Sequence, residues 1–210
     1  GVLLILDEVM CGMGRTGTFF ACEQDGVAPD IITVAKGLGA GYAPVGAMLC
    51  SSEIYDTIAR GSGSFQHGHT YHGHPLAAAA GVAVVTALRD GGLVERSAQM
   101  GDILVSALRD RLGQHPHVGD IRGRGMFRGV EIVADRESKT PFDPKLGLAG
   151  KIKKAAQHAG LIIYPASGTV DGQNGDHILI APPFIISEDE IGILVDRTAG
   201  AIDEVLAGVA

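Results

Sequence analysis

The chain has 210 residues, 46% hydrophobic and 20% charged, a balance that excludes global disorder and allows one large domain or two small ones. A formal charge of -7 and a pI near 5.5 argue against a nucleic-acid partner, because neutralising phosphates takes a basic surface. No apolar run approaches the ~20 residues of a membrane-spanning helix, so no membrane partner is expected.

The opening GVLLILDEV lacks the basic segment and small-residue cleavage site of a signal peptide. Residues 2–6 (VLLIL) instead predict a strand buried on both faces of a parallel sheet. Entry directly into an apolar strand, with no turn residue ahead of it, is what a fragment would show. CGMGRTG follows, and FFACEQDG predicts a short helix. Residues 30–35 predict a second buried strand ending at Lys36, and residues 44–50 a third, with Gly46 marking close backbone approach. An alanine-rich helix is expected over about 75–87 and another over 93–112, closed by His115-Pro116 and connecting two domains, 1–91 and 92–210. Beyond it come strands at 128–133, 161–164 and 177–181 and a helix at 146–159. A last helix is capped by Ser187 with Glu190 three residues later. Residues 165–176 read as a polar, glycine-bearing loop. Cys11, Cys22 and Cys50 form no CxxC pair, which suits buried thiols in a reducing compartment, with cytoplasm as the default.

Parallel α/β sheets place their chemistry at the carboxyl ends of strands. Asp7-Glu8-Val9, Lys36 and His69-Thr70-Tyr71 stand at or near such positions. A lysine after DIITVA could simply lay its stem on the strand end with its amine in water. It could also be an amine poised to form a Schiff base. Gly37, Gly39 and Gly41 would then bring the backbone close to a planar ligand. Asp7 could accept hydrogen bonds from the glycine loop, or hold a proton on a pyridine nitrogen. Val9 could be a core residue, or pack on the ring face if the strand continued. Glu8 reads better as a structural carboxylate.

Taken together, LILDEVMCGMGRTG (4–17), PDIITVAKGLGAGYAPVGA (29–47), HGHTYHGHPLAAAAG (67–81), RGRGMFRGVEI (122–132) and HILIAPPF (177–184) resemble the class III pyridoxal-phosphate-dependent aminotransferases. The blocks run in family order across nearly the whole chain. The resemblance implies a fold-type I α/β architecture: part of a large, mostly parallel cofactor domain, then a small C-terminal α/β domain. It implies pyridoxal 5'-phosphate carried by Lys36 as a Schiff base, Asp7 on the pyridine nitrogen and Val9 against the ring. Thr70 would reach the cofactor phosphate of the other subunit in a homodimer. The implied reaction moves an amino group from an amine or ω-amino acid to a keto acid such as pyruvate.

The resemblance also sets limits. The family's phosphate-cradling loop and ring-stacking aromatic lie upstream of the matched region, so these residues alone are expected not to turn over. Ornithine- and aminobutyrate-type members carry an arginine where this chain has Leu179. A weakened substrate-carboxylate contact is implied unless Arg122, Arg124, Arg128 or an upstream residue compensates. Val9-Met10-Cys11 looks more like the ω-amino acid or amine:pyruvate branch. A racemase or aminomutase would share the same apparatus. Gly12 to Gly17 also satisfies GxGxxG, the mark of a dinucleotide-binding oxidoreductase, but should then follow the strand at once and open a long helix. His67, His69, His72 and His74 invite a metal, yet their short spacings without helical register favour a loop of hydrogen-bonding histidines near the phosphate.

Overall fold

The structure, a computed structural model, describes residues 1–209. The chain divides into two compact units, Gly1–Glu95 and a second from Arg96 onward.

In the first unit, β1 (Ile5–Asp7), β2 (Ile31–Val34) and β3 (Ala47–Cys50) form one sheet in that order. β1 and β2 are parallel, with Asp7 opposite Thr33. β3 returns antiparallel to β2, so the sheet is mixed. The apolar opening run enters the ladder only at Ile5. Leu4 is tied to Asp30 instead, its N–H donating to Oδ2 at 2.8 Å and its carbonyl accepting from the Asp30 N–H at 3.0 Å. The expectation of a strand buried on both faces fails for β1. It pairs with β2 alone, and Val2, Leu3, Leu4 and Ile5 are all exposed within this unit. β3 is exposed along its length for the same reason, and Cys50 with it. Of the thiols expected to be buried, only Cys22 fully is.

α1 (Ser52–Arg60) follows, its N-terminus capped by Ser51 Oγ, which accepts from the Ile54 N–H. α2 (Pro75–Asp90) starts with proline at a first-turn position, where the missing N–H costs nothing. Its buried Gly81 faces Leu38, whose carbonyl oxygen lies 3.8 Å from where a Cβ would stand.

The second unit carries the main core. β4 (Val118–Arg124), β5 (Phe127–Ile132), β6 (Tyr164–Ser167) and β7 (Asp176–Ile180) make an antiparallel sheet in the order β4-β5-β7-β6. One face alternates inward along β5 and β7, burying Val130, Ile132, Ile178 and Ile180. It packs with Leu104 and Leu108 of α3 (Leu93–Leu112), Ile152 of α4 (Leu148–His158), and Ile191 and Ile202 of α5 (Glu188–Ala207). Each of these aliphatic side chains contributes roughly 1.5–3 kcal/mol when fully buried. Gly101 of α3 sits where a Cβ would come within 2.3 Å of the Gly125 backbone, so helix and hairpin touch main chain to main chain. Arg96 at the start of α3 donates to the carbonyls of Phe184 and Ile186, at 2.8 and 2.7 Å, and fixes the segment after β7.

Among the described residues no single helix is long and apolar enough to cross a membrane.

Candidate active site

Two parallel neighbours end at one edge of the first sheet, and the sequence puts a carboxylate on one and an amine just past the other. Asp7 is the last residue of β1. Its Oδ1 accepts the Val9 N–H at 2.9 Å, and its other oxygen has no hydrogen-bond partner among the described residues. Lys36 stands two residues beyond the end of β2, as the first residue of the 3-10 turn Lys36–Gly39. The turn closes through Leu38 N–H to Ala35 O at 2.9 Å and Ala40 N–H to Gly37 O at 3.1 Å. The Lys36 side chain is exposed in this unit, and its amine makes no hydrogen bond or ion pair among the described residues.

The backbone at Lys36 is unusual, with φ 40. A left-handed conformation costs an L-residue with a Cβ roughly 1–2 kcal/mol, and such strain gathers where surrounding structure imposes it. Met13 (φ 56) and Ala40 (φ 46) share it. Three non-glycine residues at positive φ thus stand in or against the lysine turn.

Glu8 is the structural carboxylate the sequence suggested. It is 3% exposed, and its two oxygens accept the N–H groups of Ala21 at 2.7 Å and Cys22 at 2.8 Å. It thereby caps the 3-10 helix Ala21–Asp25 from a distance in sequence. Its own N–H donates to Thr33 O at 2.9 Å, which extends the β1–β2 ladder by one bond. Burial and the neighbouring Glu8 carboxylate push the Cys11 thiol above its ordinary range, so Cys11 is no candidate nucleophile. Burial lowers Arg15 to about 10.

The loop between Glu8 and the 3-10 helix runs through successive turns. No long helix opens from Gly12–Gly17, and the one that follows has five residues, so the dinucleotide reading has no anion-binding helix to stand on. β1 stops at Asp7, which places Val9 in this turn, half-buried, rather than on a continuing strand. The glycines after Lys36 serve the chain itself. A Cβ on Gly37 would meet Met13 Cβ at 2.9 Å, and one on Gly39 would meet Val45 Cγ1 at 3.0 Å. Met13, 4% exposed, is the site residue the sequence did not single out, since nothing in its spacing marks a methionine that locks two loops.

Thr70 lies in an exposed turn ahead of α2, apart from the Asp7–Lys36 edge in sequence and secondary structure. His67, His69, His72 and His74 are exposed beside it. The His69 and His72 rings stand 5.8 Å apart, edge to face. Their side chains make no hydrogen bond among the described residues. No group of three or more His, Cys, Asp or Glu among the described residues could hold a metal.

In the second unit, Leu179 is half-buried on β7, opposite Gly129 of β5 and Tyr164 of β6. Arg122 is engaged by Glu131 at 2.5 Å and Asp120 at 3.2 Å, and the Glu131 bond raises its pKa. Arg128, 7% exposed, donates to the carbonyls of Gly123 and Gly101. Both arginines thus already have partners, while Arg128 Nε is buried without one.

Residues 1–202 match the family model described as aminotransferase class-III. An aminotransferase of Gibberella zeae is 48% identical over 203 residues, covering 96% of this chain and 40% of its own length. Among solved structures, a thermostable (S)-enantioselective omega-transaminase from Thermomicrobium roseum superimposes with TM-score 0.88 at 41% identity, over 98% of this chain and 44% of that one. A transaminase from the marine bacterium Virgibacillus gives TM-score 0.91 at 36% identity, over 100% of this chain and 47% of that one. The chain thus spans less than half the length of each.

Proposed function

Because the chain belongs to the class III aminotransferases, and its fold is that of the corresponding part of fold-type I transaminases, we propose that it forms the lysine-bearing part of a pyridoxal-phosphate-dependent transaminase. The observation that carries the reading is the pairing of Asp7 with Thr33 across parallel strands, with Lys36 three residues past Thr33. That register brings an amine and a carboxylate to one sheet edge.

The residues fit the cofactor. The Lys36 amine is uncommitted, and Asp7 keeps one oxygen uncommitted while Val9 N–H steadies the other. Bound there, pyridoxal phosphate supplies an electron sink that lets the carbon bearing an amino group lose a proton. Lys36 Nζ would hold the cofactor covalently and, once the substrate's amino group displaced it, would be the free amine placed to move the proton from the substrate carbon. Proton transfer by a positioned side chain is typically worth about 10²–10⁴-fold. The Asp7 carboxylate would keep a proton on the pyridine nitrogen, and Val9 would pack against the ring. Thr70 would hold the cofactor phosphate in the site of a second subunit, which makes the proposed active protein a homodimer. Residues 1–91 belong to the cofactor domain and 92–210 to the small domain. The donor is an amine or ω-amino acid and the acceptor a keto acid, pyruvate in the first instance, with the reaction in the cytoplasm. The engaged Arg122 and Arg128 around Leu179 favour donors that do not rely on a carboxylate clamp from these positions.

The test is borohydride reduction of the purified protein incubated with pyridoxal phosphate, followed by peptide mapping. A reduced adduct on Lys36, absent in Lys36→Ala, is expected. An adduct confined to other lysines, or equal visible absorbance in Lys36→Ala, overturns the reading.

A further inference from the structure

The chain contains a single asparagine, Asn174, and the residue after it is glycine. Asn-Gly is the pairing in which a backbone nitrogen reaches its neighbour's carboxamide with least steric hindrance, because glycine has no Cβ in the way. The pair sits in the loop joining β6 to β7, where Gly168, Gly172 and Gly175 all have positive φ.

This loop is built around Asp171. Its Oδ1 accepts the N–H groups of Gln173 at 2.9 Å and Asn174 at 2.7 Å, and its Oδ2 accepts from Asn174 Nδ2 at 2.7 Å. The Asn174 carbonyl accepts from the Val170 N–H at 2.9 Å. Asn174 is therefore held at its backbone nitrogen, its carbonyl and its side-chain amide. Two of the three restraints come from one carboxylate, and the bonds from Asn174 keep that carboxylate ionised below its ordinary range.

We propose that Asn174–Gly175 is a spontaneous modification site that Asp171 holds closed. In the reaction the Gly175 nitrogen, having given up its proton to solvent base, attacks Asn174 Cγ. The bond from Cγ to Nδ2 breaks, and ammonia leaves with a proton from water. The resulting cyclic imide takes up water and opens to aspartate or isoaspartate. No oxidant or reductant is involved. Asp171 opposes the first step by keeping Nδ2 and the Asn174 N–H turned toward itself and away from the geometry of attack. Once the carboxamide is lost, the tether cannot re-form. The new carboxylate has no N–H to give, and it stands beside Asp171 as a like charge. Conversion is therefore one-way and loosens the loop that carries Thr169, whose hydroxyl lies 2.5 Å from His177 Nδ1.

The experiment follows conversion at Asn174 by peptide mass spectrometry and isoaspartate detection at mildly alkaline pH. It compares the intact protein, Asp171→Ser, Asp171→Ala and a synthetic peptide spanning residues 168–177. With one asparagine in the chain, no other asparagine can confuse the readout. The intact protein is expected to convert slowest and Asp171→Ala roughly tenfold faster, the scale of one charge-assisted hydrogen bond. Asp171→Ser, which keeps a neutral acceptor for the backbone N–H and adds no asparagine, falls between them, and the peptide converts at least as fast as Asp171→Ala. Equal rates in the intact protein and the peptide overturn the proposal, as do unchanged rates in both Asp171 variants. The outcome is independent of whether Lys36 binds a cofactor.

Discussion

A Cβ placed on Gly37 would stand 2.9 Å from the Cβ of buried Met13, so the turn that presents Lys36 and the loop that follows Asp7 are in contact with no room for one further carbon. Gly37→Ala must push the lysine turn away from that loop. Overpacking of this kind costs typically 1–3 kcal/mol. Borohydride trapping at Lys36 should fall while the second unit, whose core is separate, stays folded. Adding Met13→Gly to Gly37→Ala removes the clash and the positive-φ strain at position 13 together, and should restore part of the trapping. Undiminished trapping in the single variant would disconnect the Met13 contact from the placement of Lys36.

Two substitutions at Lys36 separate the amine from the strain in the backbone that carries it. Lys36→Ala and Lys36→Gly both remove the amine and should be equally inactive. They differ in that alanine keeps the unfavourable φ of 40 whereas glycine does not. Lys36→Gly is expected to be the more stable by about 1 kcal/mol, less the extra entropy glycine brings to the unfolded chain. Denaturant midpoints of the two variants decide it, and a more stable alanine variant would contradict the left-handed assignment.

Glu8 supports the neighbouring Asp7 without taking part in chemistry. Glu8→Ala leaves two N–H groups, those of Ala21 and Cys22, without their acceptors. Unsatisfied buried donors cost roughly 1–3 kcal/mol each, so Glu8→Ala should destabilise the first unit by about 2–6 kcal/mol while leaving Asp7 and Lys36 chemically intact. Glu8→Gln keeps one carbonyl oxygen as acceptor and should lose about half as much. Thermal unfolding measured beside activity separates this effect from a catalytic one, which would reduce the rate at unchanged stability.

Where one local rule dominates, the sequence was legible. The second connector helix was expected over 93–112 and occupies Leu93–Leu112, because its apolar spacing is regular and Gly91-Gly92 and His115-Pro116 bracket it. The structural role of Glu8 could be read because a charged residue at a strand end has few explanations, and Asp7 and Lys36 lie at or just past strand ends as their flanking apolar runs predicted. What could not be read was set by partners distant in sequence. β4 went unseen because glycines at 119 and 123 and a register shift between Val118 and Asp120 hide its alternation. α1 was missed because no residue in it is buried in this unit, so packing gives its pattern little support. The strand predicted at 161–164 lies instead at Tyr164–Ser167. Leu161 N–H is spent on Ala156 O at the end of α4, and the edge position of β6 tolerates Pro165. The glycines after Lys36 looked like room for a ligand, yet two of them are filled by Met13 and Val45. Spacing alone cannot say whose atoms a missing Cβ makes way for.

The cap of α5 gives a prediction with a definite pH sign. Ser187 Oγ accepts the Glu190 N–H at 3.2 Å, and Glu190 Oε2 accepts the Ser187 N–H at 2.8 Å. This reciprocal box holds the first turn of a helix whose Ile191, Leu194, Val195 and Ile202 line the main core. Ser187→Ala removes one half of the box and should cost about 1 kcal/mol. The Ser187 N–H and hydroxyl hold the Glu190 carboxyl below its ordinary value of 4.5. A depressed folded-state pKa means that the contribution is complete above pH 4.5 and is lost as pH falls through the lower folded value. Stability of the intact protein and of Glu190→Gln should therefore converge in acid and separate above that range. Because the carboxylate is at the surface, salt should shrink the separation. A difference between the two that stays constant from acid to neutral pH would show that the ionised carboxylate is not what holds the N-terminus of α5.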